Sequence, residues 1–152
     1  MTSQTPRYEI DSARIEQLRA AASEIAHRAY APYSHFFVGA ALLLESDEMV
    51  TGCNVENASY RLTCCAEQTA VARAVAEYGP AIRIVAVAVA NANPQAACQP
   101  CGACRQTLAE FAAGDCRIFY PEADGRLAEC TLADLLPASF AKFTALSGNE
   151  SR

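Results

Sequence analysis

Apolar residues recur along this chain in two rhythms, and their alternation lays out a succession of helices and strands. Ile15, Leu18, Ala22, Ile25 and Ala29 fall on one helical stripe, which Asp11 or Ser12 can cap and Pro32 is expected to stop. His27, beside that stripe, reads as a surface or packing residue. After Ala31-Pro32-Tyr33-Ser34-His35, positions 36–44 are apolar in both alternating phases, as expected of a strand covered on both faces. Ser46-Asp47-Glu48 makes a turn, and residues 49–53 return as a second strand. Asn54-Val55-Glu56-Asn57-Ala58-Ser59-Tyr60 is a polar loop. Its asparagines suit turn chemistry, yet it leads straight into Thr63-Cys64-Cys65, which makes it a candidate for ligand contact.

A second helical stripe runs through Ala66, Ala70, Val71, Ala74, Val75 and Tyr78 until Gly79-Pro80. Residues 82–90 are continuously apolar and form the expected central strand; residues 91–99 form a loop. Cys104, Leu108, Phe111 and Ala112 mark a third helix that Gly114 is expected to end. Residues 116–120 and 127–130 read as strands joined by a turn at Asp124-Gly125. Thr131 can cap a short helix closing at Leu136-Pro137. The order predicts an α/β protein, a three-layer α/β/α sandwich around one mixed β-sheet.

The chain has 152 residues, 52% of them hydrophobic, and is expected to form a single domain over 1–152 with loosely ordered ends at 1–10 and 141–152. No apolar run approaches the length of a membrane span, and residues 1–12 are too polar for a signal peptide, so a cytoplasmic location is expected. A net charge of −5 with scattered basic residues argues against nucleic acid as a partner and favours a free small molecule. Eight cysteines without an export signal point to metal binding for the clustered ones. Cys53, Cys116 and Cys130 lie in apolar strands and read as ordinary buried thiols.

Cys65, Cys101 and Cys104 can supply three thiolates to one zinc ion, leaving a fourth tetrahedral position for water. Glu67, two residues past the first cysteine, is placed to carry a proton. Each cysteine group would open a helix after a strand, where ligands gather in open α/β sheets and helix dipoles favour thiolate. Three other readings compete. A redox dithiol explains Cys101 and Cys104 but leaves Cys65-Ala66-Glu67 without a purpose. Cys98, Cys101 and Cys104 spell the opening of a ferredoxin cluster motif, yet Leu108 and Ala109 stand where its cysteine and proline belong. A closed structural zinc site would need Cys64 or Cys98 as the fourth ligand, and Cys64, adjacent to Cys65, is poorly placed to share its ion.

Five ordered motifs carry a resemblance. They are Ala31-Pro32-Tyr33-Ser34-x-Phe36-x-Val38-Gly39-Ala40-Ala41, Gly52-Cys53-Asn54-Val55-Glu56-Asn57-Ala58, Cys65-Ala66-Glu67, Pro100-Cys101-Gly102-Ala103-Cys104-Arg105-Gln106 and Leu135-Leu136-Pro137-x-x-Phe140. Over residues 11–140 the chain resembles the homotetrameric zinc-dependent cytidine deaminases. The resemblance implies hydrolytic deamination of free cytidine or 2′-deoxycytidine in pyrimidine salvage, with one Zn2+ per subunit held by Cys65, Cys101 and Cys104. It implies Glu67 as proton shuttle, and Asn54 and Glu56 on the ribose 3′-hydroxyl. The Ala66 N–H is implied to meet the base carbonyl, the Gln99 carbonyl the departing amine, and Phe36 the base or sugar. Phe140 is implied to enter a neighbouring subunit's site.

Three positions depart from the family pattern. Gln68 stands for a usual arginine, Phe37 for a frequent proline and Gln99 for a frequent serine. They bear on the site's charge and its leaving-group pocket. A modified cytosine nucleoside or cytosine-containing antibiotic is therefore the alternative substrate, and a non-catalytic, metal-stabilised assembly protein the alternative class. Asn54 and Glu56 favour a true nucleoside, and Glu67 argues against a purely structural metal.

Overall fold

Two glycines set how closely helices lie on the sheet of this protein, whose computed structural model describes residues 8–140. The chain runs α1 (Ser12–Ala26), β1 (Val38–Leu44), β2 (Met49–Cys53), a 3-10 turn at Tyr60–Leu62, then α2 (Ala66–Tyr78) and β3 (Ile84–Asn91). It continues α3 (Gly102–Phe111), β4 (Ala112–Pro121), β5 (Leu127–Thr131) and α4 (Leu132–Leu135). A Cβ on Gly39 in β1 would land on the Ala22 carbonyl of α1, and one on Gly52 in β2 on the Ala70 nitrogen of α2. Only glycine permits both approaches.

The five strands form one mixed sheet in the order β2-β1-β3-β4-β5; β3 and β4 are parallel, and the remaining neighbours antiparallel. α1 covers one face, where Leu18 and Ala22 meet Ala41, Leu43, Ala86, Ala88 and Phe119. α2, α3 and α4 cover the other, over Ala40, Leu42, Val87, Val89 and Ile118. The three-layer α/β/α sandwich is thus present. Every residue of β1 is buried, which accounts for its apolar character in both phases. The edge strand β2 buries alternate residues, Val50 and Gly52.

The elements depart from the sequence reading by more than a residue or two at three points. α1 stops at Ala26, well short of Pro32, because the backbone of Tyr30 is already engaged elsewhere: its N–H reaches the Asn54 carbonyl at 3.0 Å, and its carbonyl accepts from Glu56 N–H at 2.8 Å. Gly114 does not end a helix. α3 closes at Phe111 and β4 begins at once, with Ala112 paired to Ile84 across the sheet. The 3-10 turn at Tyr60–Leu62 lies in what reads as an irregular polar loop. Of the ends expected to be loose, residues 1–7 and 141–152 lie outside the described residues, while Tyr8 and Ile10 pack against the α1 side of the core. Among the described residues no helix is long and apolar enough to cross a membrane.

Candidate active site

Cys65 and Cys101 occupy equivalent places: each is the extended residue that opens a helix, α2 and α3 respectively, with φ −70° and −67°. A helix start carries unpaired N–H groups and a positive dipole end, both favourable to a thiolate. The Cys101 sulfur accepts from Cys104 N–H at 3.5 Å, and it stands 4.0 Å from the Cys65 sulfur. All three sulfurs of Cys65, Cys101 and Cys104 lie within 4.8 Å of one another, and no other group of metal-ligating side chains converges in this way among the described residues. Sulfurs ~2.3 Å from one tetrahedral zinc would stand ~3.8 Å apart, so the cluster needs only a small contraction to fit that ion. Cys104 is buried, Cys65 half-buried and Cys101 exposed, which leaves the cluster open on one side.

The competing cysteines point elsewhere. Cys98 is buried with its sulfur toward the Ala90 carbonyl, and the exposed Cys64 thiol faces the Leu62 carbonyl. Neither completes a four-cysteine set, so the closed-zinc and iron–sulfur readings lose their fourth ligand. Cys116 is buried as expected, and burial pushes its thiol up to about 12; Cys53 and Cys130 are only half-buried.

Charge in the cluster concentrates on Cys65. A hydrogen bond from the Cys104 thiol lowers Cys65 to about 7 and raises Cys104 in return. Glu67 sits in the first turn of α2 and is 4% exposed; burial raises its carboxyl above the ordinary range. Gln68 performs a task its sequence position did not reveal. Its Oε1 accepts the Cys65 N–H at 3.4 Å, the reciprocal half of a capping box at the start of α2. Arg105 braces the other helix: Nε donates to the Pro100 carbonyl at 2.8 Å and Nη1 to the Leu135 carbonyl at 3.1 Å.

The polar loop after β2 is tied to the cysteines through its backbone. Val55 and Cys64 exchange two hydrogen bonds of 3.0 Å each, which sets Asn54 and Glu56 on either side of a residue bridged to the neighbour of Cys65. Both side chains are buried, and both already hold the 31–38 segment. Asn54 Oδ1 accepts from Val38 N–H and its Nδ2 donates to the Phe36 carbonyl, each at 2.8 Å. The Glu56 carboxylate accepts from the N–H groups of Tyr33 and Ser34 at 2.9 and 3.2 Å, and from the Ser34 hydroxyl. The Phe36 ring is partly exposed, Gln99 is exposed, and Ala66 is fully buried at the first position of α2. Phe140 is exposed, its backbone held by Gln106 of α3. Ser34 and Gln68 are the contributors that sequence reasoning did not assign. A groove of about 1310 Å3 lined by Glu45, Arg83, Asp115 and Glu129 lies at the opposite end of β3 from the cysteines. It holds no such cluster among the described residues.

Comparison with known proteins bears on this geometry. Residues 12–120 match the family model described as the cytidine and deoxycytidylate deaminase zinc-binding region. The chain is 41% identical over 128 residues to a cytidine deaminase of Sporosarcina psychrophila, covering 84% of this chain and 92% of that protein. It is 44% identical over 123 residues to one from Mycobacterium tuberculosis, covering 81% and 86%. The crystal structure of a cytidine deaminase from Burkholderia pseudomallei superposes with a TM-score of 0.74 at 40% identity, over 82% of this chain and 98% of that one.

Proposed function

The chain belongs to the cytidine and deoxycytidylate deaminase family, and from that premise we propose that it hydrolyses free cytidine and 2′-deoxycytidine to uridine and 2′-deoxyuridine plus ammonia, a step of pyrimidine salvage. One observation carries the reading: three thiols converge at two helix N-termini, with the buried carboxyl of Glu67 on the adjoining first turn. The net charge of −5 suits a nucleoside better than a polynucleotide.

Cys65, Cys101 and Cys104 would hold one zinc per subunit. Zinc in that position supplies a Lewis acid that lowers the pKa of a water at its open site. Glu67 takes a proton from the attacking water and delivers it to ring N3 as oxygen adds at C4. It then passes the remaining proton to the exocyclic amine, whose C4–N bond breaks to release ammonia. Burial raises the Glu67 carboxyl above its ordinary range, which favours its holding a proton between the two transfers.

Asn54 and Glu56 are assigned to the ribose 3′-hydroxyl, the Ala66 N–H to the base carbonyl and the Gln99 carbonyl to the departing amine. The Phe36 ring is assigned to the base or sugar. The working form is a homotetramer in which Phe140 completes a neighbour's site. Exposed Tyr33, Tyr60, Leu62 and Phe140 give it apolar surface to cover. Eight free thiols suit a reducing, cytoplasmic setting.

Mixing purified protein with cytidine tests the proposal. The absorbance of the cytosine ring should fall while ammonia accumulates in equal amount. A sample shown to contain zinc that leaves cytidine unchanged would overturn it.

A further inference from the structure

The Ser34 hydroxyl bridges the Glu56 carboxylate and the backbone of Phe36, two residues assigned to the nucleoside. It donates to Glu56 Oε1 and accepts the Phe36 N–H at 3.0 Å. The Phe36 carbonyl is taken by Asn54 Nδ2 at 2.8 Å, so both backbone groups of Phe36 are held by side chains. The turn that allows this is unusual. His35 has φ +54°, in the left-handed region that non-glycine residues rarely enter, and its N–H returns to the Ala31 carbonyl at 3.0 Å. Glu56 is 7% exposed, and its three donors all come from Tyr33 and Ser34. A carboxylate offers about four acceptor positions, so capacity remains for one sugar hydroxyl.

We propose that Ser34 is a positioning residue, whose hydroxyl couples the sugar-binding carboxylate of Glu56 to the backbone that carries the Phe36 ring, so that both meet the nucleoside in one fixed arrangement. The inference rests on the deaminase reading and on the place of Glu56 at the 3′-hydroxyl. Without the Ser34 hydroxyl, the carboxylate can rotate away from the sugar, and the Phe36 N–H loses its acceptor. The loss falls on binding of the ribose, remote from C4 of the base, so it should raise KM with little change in kcat.

The test compares cytidine with 3′-deoxycytidine, which lacks the hydroxyl in question, in wild type, Ser34→Ala and Ser34→Thr. Wild type should prefer cytidine in kcat/KM. Ser34→Ala should raise the cytidine KM about tenfold, keep kcat within about threefold, and lose most of the preference over 3′-deoxycytidine. Ser34→Thr retains the hydroxyl and should restore both. Should Ser34→Ala not fold, Ser34→Cys takes its place: a thiol is a weaker, longer donor, so its preference should fall between wild type and none. A folded Ala or Cys variant with the wild-type KM and preference overturns the inference alone, as does wild type that shows no preference. Wild type that leaves cytidine untouched overturns the deaminase reading and this inference with it.

Discussion

Gln106 holds Phe140 through both ends of its amide: Nε2 donates to the Phe140 carbonyl at 3.2 Å, and Oε1 accepts the Phe140 N–H at 3.0 Å. Gln106 lies on α3, the helix opened by Cys101 and carrying Cys104. The helix that presents two of the three clustered cysteines therefore also fixes the backbone of Phe140.

Removing that ring should weaken substrate binding. Stacking of an aromatic side chain on a base contributes about 1–3 kcal/mol, so Phe140→Ala should raise KM about tenfold or more, with kcat less affected. Gln106→Ala should move KM in the same direction by less. Steady-state kinetics check both. Mixing Phe140→Ala with Glu67→Ala under subunit exchange should restore tight-KM activity if the ring works in trans. Exchange without that recovery places Phe140 in its own subunit's site.

Gln68 gives α2 its reciprocal cap, and substitutions that lack an acceptor should expose it. Gln68→Met and Gln68→Arg should each cost about 1 kcal/mol in urea unfolding of the zinc-loaded protein. The two should differ toward a chelator. Three thiolates and Zn2+ sum to a charge of about −1, which a guanidinium offsets and a thioether does not. The Arg variant should therefore lose zinc more slowly than the Met variant. Equal loss from both would show the charge is balanced elsewhere, with Arg105 the nearest candidate on α3.

Glu56 should make stability depend on pH in a defined direction. The Ser34 hydroxyl first, then the N–H groups of Tyr33 and Ser34 and the charge of His35, outweigh burial and hold its carboxyl below the ordinary range. A folded-state pKa below the unfolded one stabilises the protein above the unfolded value, and the gain is lost as pH falls through the folded value. The Tm gap between wild type and Glu56→Gln should thus be widest above the ordinary carboxylate range and should narrow as pH falls through and below it. A gap independent of pH would show that Glu56 contributes by shape rather than by charge.

Gly52→Ala should disturb the site without touching it. The added methyl meets Ala66 and Ala70 backbone atoms, so α2 must shift, and overpacking of this kind costs about 1–3 kcal/mol. The same helix carries Cys65 and Glu67, so Tm, zinc retention and turnover should fall together. A lower Tm with unchanged zinc and kcat would mean the sheet yields instead of the helix.

The parts of this molecule that sequence made legible are those governed by local chemistry. Asp11 caps α1 as its side chain suggests, and the bounds of β2 follow from its apolar alternation and the Ser46-Asp47-Glu48 turn. The convergence of Cys65, Cys101 and Cys104 was legible because their spacing serves two helix starts. What was hidden depends on distant partners. α1 ends early because Tyr30 pairs with Asn54 and Glu56, and Gly114 lies in a strand because Ala112 joins Ile84. Ser34 reads as an ordinary loop serine until His35 adopts its left-handed turn and brings the hydroxyl onto Glu56.

The measurement that tests the account most directly is turnover of cytidine by Glu67→Ala protein whose zinc content and melting temperature are determined on the same sample. Glu67 moves the protons in this account, while the three cysteines hold the metal without it. The variant should keep zinc and fold yet lose at least the ~10²–10⁴ in kcat that a positioned acid–base group contributes. Near-normal turnover in a zinc-loaded, folded Glu67→Ala protein would contradict it.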